Sequence, residues 1–305
     1  MHLAGCHAAW QPSKRIFVTT GSSPLVQRRR LRAELRQARL DAGLTQETVA
    51  EEMDWSLSKV IRIETGSVGV STNDLTALLR LYKVKDRQRL RDLVTLGRAA
   101  RQQSWYSKYR GVIPPTYFQF IEYETSASVI RSYEPLVVPG LLQTEDYATD
   151  LMRLYRTNPS PEAVQARVEI RMRRQQLLLD RADSLSLFFV LDEAVIRRLM
   201  GDKRTRHGQI ARLITAAKKP GLTIEIVPFS AGLHRGLAEN FTVLEFSDPS
   251  DDDILYTESV RDFIFTKDDV EEISIYRELF QDLRKASLGQ KASLDFLVEI
   301  ADALA

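Results

Sequence analysis

Residues 44–66 read LTQETVAEEMDWSLSKVIRIETG, and this stretch limits the fold more than any other in the chain. Two amphipathic runs flank the tetrapeptide Met53-Asp54-Trp55-Ser56. One continuous helix over 45–64 would put Asp54 and Ser56 in its middle, where their side chains compete with the backbone for hydrogen bonds. Two helices with a tight turn suit the residues better. Thr45 and Ser56 are then N-caps, each with an oxygen able to accept from a first-turn N–H. Val49, Ala50 and Met53 of the first helix face Val60 and Ile63 of the second. Ala50 is small enough to let the two backbones approach.

The flanking residues supply more helices. Leu31, Leu35 and Ala38 form a stripe over 24–42, closed by Gly43. Ser71-Thr72-Asn73-Asp74 starts another, with Leu75, Leu78, Leu79 and Leu81 behind it, and Gly66 ends the helix before it. Leu90, Leu93, Val94 and Gly97 make one face of a fifth helix over 86–103. The expectation for 24–103 is an all-α, five-helix unit with a helix-turn-helix, a layout whose second helix enters the DNA major groove. Charge agrees. Residues 24–101 hold 16 Lys/Arg and 10 Asp/Glu, a net of +6, whereas 102–305 hold 25 and 31, a net of −6. A chain of 305 residues also exceeds one ordinary core. A basic DNA-binding head on an acidic body follows, with boundaries at 24–103 and 104–305.

The pattern L-T-Q-E-x-x-A-x-x-M-x-x-S-x-S-x-V-x-R-x-E-x-G resembles the xenobiotic-response-element type of helix-turn-helix, shared with phage repressors. The resemblance covers about 28–83 and implies roles. Gln46 would meet a phosphate at the start of the motif's first helix. Ser56 would cap the second helix and touch phosphate. Leu57, Ser58, Lys59 and Arg62 would face base edges, Lys59 and Arg62 bonding guanine or phosphate. Leu57 stands where the family prefers a polar side chain and can meet only a thymine methyl. Asp54 replaces the usual turn glycine. Arg39 and Glu64 fall where the resembling repressors place a partly buried ion pair.

Beyond Gln103 the character changes. SWYSKYRGVIPPTYF reads as a linker or domain edge, 117–131 as a helix, and YEPLVVPGLLQTEDYA as an extended apolar piece. Thr144 and Ser160-Pro161-Glu162 start helices, the second running to about 180 with Arg167, Arg171, Arg173 and Arg174. Strand patterns follow only after it, at 184–191, 222–229, 241–246 and 254–259. Helices are expected at 192–200, 204–219, 268–287 and 290–303. The body is therefore mixed α/β, a small sheet covered by helices.

Chemistry-bearing motifs are scarce. The chain has four histidines and one cysteine, and lacks H-x-x-x-H, C-x-x-C, G-x-S-x-G and the phosphate-loop pattern. No cofactor and no metal is expected, and Asp251-Asp252-Asp253 reads as a solvated loop. No window of 18 uncharged apolar residues suggests a membrane span. Residues 1–23 lack periodicity and a secretory signal, and are expected to be disordered, in a cytoplasmic, nucleoid-associated protein. YEPLVVPGLLQTEDYA, R-x-x-R-Q-Q-x-L-L, LDEAVIRRLMG, VPFSAGLHRGL, F-T-V-L-E-F and YTES, in that order, resemble the C-terminal domain of a large actinobacterial family of antitoxin-like transcriptional regulators. That domain has long been catalogued as of unknown function. The resemblance implies regulation and protein binding. The expected partners are double-stranded DNA, a second copy of the chain and a small protein encoded nearby. The candidate partner surface is the helical stripe Arg167, Arg171 and Arg174, which meets acidic side chains within the body or on a partner, together with His234 and Arg235 in the loop 230–236. Two alternatives stand beside the regulator: an antitoxin that neutralises the small protein, and an enzyme carrying a DNA-targeting head.

Overall fold

Short polar side chains at the ends of each apolar stripe decide where the helices of the head begin. In the computed structural model α1 spans Pro24–Asp41, α2 Gln46–Glu52, α3 Leu57–Thr65, α4 Thr72–Leu81 and α5 Arg87–Ala100. The Thr45 hydroxyl accepts from Thr48 N, the Ser56 hydroxyl from Lys59 N and the Ser71 hydroxyl from Asp74 N. Asp86 accepts from Gln88 N and Arg89 N. The turn between α2 and α3 carries Asp54 at φ 52°, and Trp55 N donates to Ala50 O across it at 2.8 Å. Described are residues 24–65, 68–102, 105–109, 111–154, 160–179, 181, 185–199, 201–247, 251–258, 263–266 and 269–304. The expectations for 1–23 and for Gly66 lie outside them. The chain divides into two compact units, at Gln102 and Gln103.

The head has one core, in which Leu31 and Leu35 of α1, Val49 and Ala50 of α2, Val60 and Ile63 of α3, Leu75, Leu78 and Leu79 of α4, and Leu93 and Leu96 of α5 are buried together. Each fully buried aliphatic side chain contributes about 1.5–3 kcal/mol of transfer free energy. Gly97 lies where α5 crosses α4: a Cβ there would stand 2.5 Å from a Leu75 methyl. A side chain at this position would have to displace Leu75.

The body is built on a six-stranded sheet with the order β3-β2-β1-β4-β5-β6. The strands are β1 Val129–Glu134, β2 Ser186–Asp192, β3 Leu222–Val227, β4 Phe241–Glu245, β5 Ile254–Glu258 and β6 Phe263–Thr266. β1, β2 and β3 pair in parallel; β4, β5 and β6 extend the other edge antiparallel. The expectation of strands only beyond 180 is corrected here. The helix expected over 117–131 stops early: α6 is Pro115–Glu124, and VIRSYE forms the strand that joins the two halves of the sheet. Val129 and Ile130 are apolar but Arg131, Ser132 and Glu134 are polar, so the segment shows neither the apolar run of a strand covered on both faces nor a clean alternation. β6 was also not anticipated.

The helices α7 Glu145–Leu154 and α8 Pro161–Leu179 cross from β1 to β2, and α9 Glu193–Arg197 and α10 Lys203–Ala217 from β2 to β3. α11 Val270–Ala286 covers one face, its Ile273, Leu279, Phe280 and Leu283 packing on Tyr133, Val190, Val227, Phe241, Val243 and Leu255. α12 Gly289–Leu304 closes the β3 edge: Ser293 Oγ accepts from Ile226 N and Leu288 N donates to Ile226 O, both at 2.9 Å. A covered edge has no free ladder groups to recruit another strand.

Candidate nucleic-acid interface and a charged cavity

In the head, a buried polar network fixes α3. Arg39 Nε donates to Glu64 Oε1 at 2.6 Å and Arg39 Nη2 to Glu64 Oε2 at 3.1 Å, a bidentate pair with side chains 9% and 6% exposed. Arg39 Nη1 also donates to Leu44 O, so one guanidinium ties α1, the loop before α2, and α3. The Glu64 hydrogen bond, aided by its charge, holds the Arg39 pKa above its ordinary value. Burial, and the same carboxylate, push Tyr82 up to about 12. Gln46 Nε2 donates to Glu64 Oε2 at 2.7 Å. The Gln46 amide thus braces the network, and its expected phosphate contact is not preformed.

With Val60 and Ile63 inward, α3 turns Leu57, Ser58, Ile61 and Arg62 outward. Leu57 and Ile61 are 38% and 39% exposed. Ile61 escaped sequence reading because an apolar residue next to Val60 looks like core. Lys59 is folded back: its ammonium sits 3.5 Å from the Trp55 ring centroid and 3.4 Å from Asp74 Oδ2. Such half-exposed pairs are weak, so the side chain can be released to an anion. Ser56 caps α3 and remains exposed.

In the body, a cavity of about 220 Å³ opens between α6, α8, the 136–143 segment and one face of the sheet. Its floor is a cross-strand row, Phe189–Ser132–Thr242–Tyr256, set by the registers of four adjacent strands. Tyr117, Phe120 and Glu124, spaced three and four apart on α6, form a wall, and Phe120 stacks on Tyr256 at 4.0 Å. The segment 136–143 forms the opposite wall and is held by three glutamines. Gln143 Nε2 donates to Val138 O, Gln175 Nε2 to Gly140 O and Gln143 O, and Gln209 Nε2 to Leu142 O. Gly140 lets this segment lie against two guanidinium groups, since a Cβ there would stand 3.1 Å from Arg174 Nη2.

These contacts correct the partner-surface expectation for the α8 arginines. Arg174 is 4% exposed, with Nε 2.6 Å from Glu124 Oε2 and Nη1 donating to Tyr117 Oη. Arg171 Nη1 donates to Gln143 Oε1, and Arg167 Nη2 to Val112 O at 2.7 Å. The stripe faces inward because Val112, α6 and the 136–143 segment supply its acceptors. The loop 230–236 is corrected too. His234 turns in, with a side chain 10% exposed, Nε2 3.4 Å from Asp192 Oδ2 and its ring edge-on to Tyr133. Arg235 stays exposed, 3.9 Å from Asp282. What the loop presents instead is apolar: Phe229, Leu233 and Leu237 are 58%, 94% and 53% exposed. Nor is the aspartate run simply a solvated loop. Asp251 is buried, and Asp253 accepts from Phe246 N and pairs with Arg277. Among the described residues no three His, Cys, Asp or Glu gather as a metal site.

Three cavity carboxylates are displaced upward. Burial raises Glu124 to about 6 against the pull of Arg174. Burial, then the Glu258 charge, raises Glu134 to about 8, and burial raises Glu258 as well. Nothing in the sequence points to this cluster, because its members are 10 to 134 residues apart.

Residues 30–93 match the family described as a helix-turn-helix domain, and residues 117–299 the family described as a domain of unknown function (DUF5753). No curated protein and no solved structure matches the chain. No helix among the described residues is long and apolar enough to cross a membrane.

Proposed function

Since this chain belongs to the family described as a domain of unknown function (DUF5753) and carries a helix-turn-helix domain before it, we propose that it is a sequence-specific transcriptional regulator. The observation that carries the reading is the outward face of α3, Leu57, Ser58, Ile61 and Arg62, braced from behind by Arg39, Glu64 and Gln46. A rigid helix with a guanidinium, a hydroxyl and two apolar side chains on its free face can read a guanine edge and thymine methyls. Lys59, released from Asp74, adds a phosphate or guanine contact. The regulator works without catalysis, in the cytoplasm and on the nucleoid, as a homodimer. One recognition helix contacts too few bases for specific binding, and two-fold pairing doubles the site.

The head resembles the xenobiotic-response-element type, and an antitoxin role for the body is the second reading. It is favoured by the exposed Phe229, Leu233 and Leu237, three large apolar side chains within nine residues that suit a protein partner. Selection of bound sequences from a random pool tests the first reading. Arg62→Ala is expected to relax the preference at one operator position and to cost about 1–3 kcal/mol. Lys59→Ala is expected to weaken all sequences more evenly. An unchanged selected motif in both variants would remove the assignment of α3 as the reading helix.

A further inference from the structure

The cavity of the body is lined by three carboxylates and two guanidinium groups, an excess of one negative charge when all are ionised. Of its two guanidinium groups, Arg174 is paired with Glu124 and bonded to Tyr117, and Arg171 is bonded to Gln143. Two carboxylates, Glu134 at the end of β1 and Glu258 at the end of β5, remain on the lining. Among the described residues no cation lies within ion-pair distance of either; Glu134 has only the Asn240 amide, at 3.5 Å. Glu134 is half-buried and Glu258 exposed, and both line the cavity. The rest of the lining is mostly aromatic and aliphatic, Tyr117, Phe120, Phe189, Tyr256, Val138 and Leu141 among it, with the polar Ser132, Thr242, Gln143 and Asn240 between them.

We propose that this cavity binds a small organic cation, an amine whose ammonium sits between Glu134 and Glu258 and whose apolar body lies against Phe120 and Tyr256. Size agrees. A buried water needs about 10–15 Å³ of such space, so the cavity has room for a molecule of ten or more heavy atoms. Chemistry agrees as well, because a pocket of mostly apolar walls with a few converging polar groups is the usual form of a ligand site. The cation adds counter-charge at Glu134 and Glu258, neither of which has an ion-pair partner among the described residues. With the cavity empty, burial and the Glu258 charge hold Glu134 up to about 8, opposed by Asn240, Arg171 and Arg174, so it carries a proton at pH 7. Arrival of an ammonium expels that proton, and binding releases H⁺. The site lies within the body and does not depend on the head reading DNA.

Titration calorimetry on the full chain tests this with 2-phenylethylamine, the neutral 2-phenylethanol and the anionic 3-phenylpropionate. The amine is expected to bind at millimolar Kd or tighter, and the other two at least about tenfold more weakly, the scale of one charge-assisted hydrogen bond. At pH 7 the amine's apparent heat should differ between buffers of unequal ionisation enthalpy, in the sense of proton release. Glu134→Gln and Glu258→Gln should each weaken the amine about tenfold or more. Glu134→Gln also abolishes the released proton, and thermal melting of that variant should show a fold at least as stable as the parent's, since a strained carboxyl has gone. Preference for the carboxylate, equal binding of all three probes, no heat from the amine, or full affinity in a folded Glu134→Gln protein would each overturn the proposal. Gel shift with operator DNA reports separately on the regulator reading.

Discussion

Arg39 shows how one residue can serve two ends. Its guanidinium satisfies Glu64 twice and Leu44 O once, in a site where both side chains are nearly buried. A buried pair adds little net stability over apolar residues of the same shape, but removing one partner strands the other. Arg39→Ala is therefore expected to destabilise the head by about 3–5 kcal/mol, read by urea denaturation. It should also loosen Gln46 and the angle of α3, so affinity for operator should fall further than the loss of folded protein explains. A variant as stable as the parent would show that the pair is dispensable. Arg39 and Glu64 could be paired from the sequence only through resemblance, since 25 positions separate them. The left-handed backbone at Asp54 was likewise implied by the resemblance, whose usual turn residue is glycine, and its φ is 52°.

Among the elements, the 136–143 segment has no regular hydrogen-bonding partner of its own, and side chains supply one. Gln209 is wholly buried; it donates to Leu142 O and accepts from Thr144 N, at 2.9 and 2.8 Å. Two backbone groups lose their partner in Gln209→Ala, and each buried unsatisfied group costs about 1–3 kcal/mol. The expected result is a loss of about 2–4 kcal/mol in the unfolding of the body, with faster amide hydrogen exchange confined first to 138–145. Uniform exchange across the sheet would mean that Gln209 supports the whole core and not this segment. The helices of the head were legible because each has a cap residue and a one-sided stripe. The body's elements were mostly legible too, with β6 and, more tellingly, β1 the exceptions. The β1 residues Ile130, Ser132 and Glu134 face the cavity while Tyr133 packs under α11. A strand with a charged residue facing a cavity does not look buried.

For the whole molecule, the opposite charges of the two units, +6 on 24–101 and −6 on 102–305, place DNA affinity in the head. The fragment 24–102 is expected to bind operator more weakly than the full chain and as a monomer, because pairing through the body raises the effective concentration of the second head. Light scattering and a salt titration of binding would check this; the slope of log K against log salt should be shallower for the fragment, with fewer phosphates met. Equal affinity and equal slope would place the dimer contact in the head. By itself the sequence determined the two-unit plan, the five helices and their caps, the turn at Asp54 and most of the strands. These rest on local patterns: the period of apolar residues, the chemistry of caps and the sign of charge along the chain. Only the tertiary structure decided which way the α8 arginines point, that Gln46 braces Glu64, that His234 turns inward, and that Glu124, Glu134 and Glu258 meet around one cavity. Direction and encounter depend on which distant segments supply an acceptor or exclude water, and no short window of sequence contains that information.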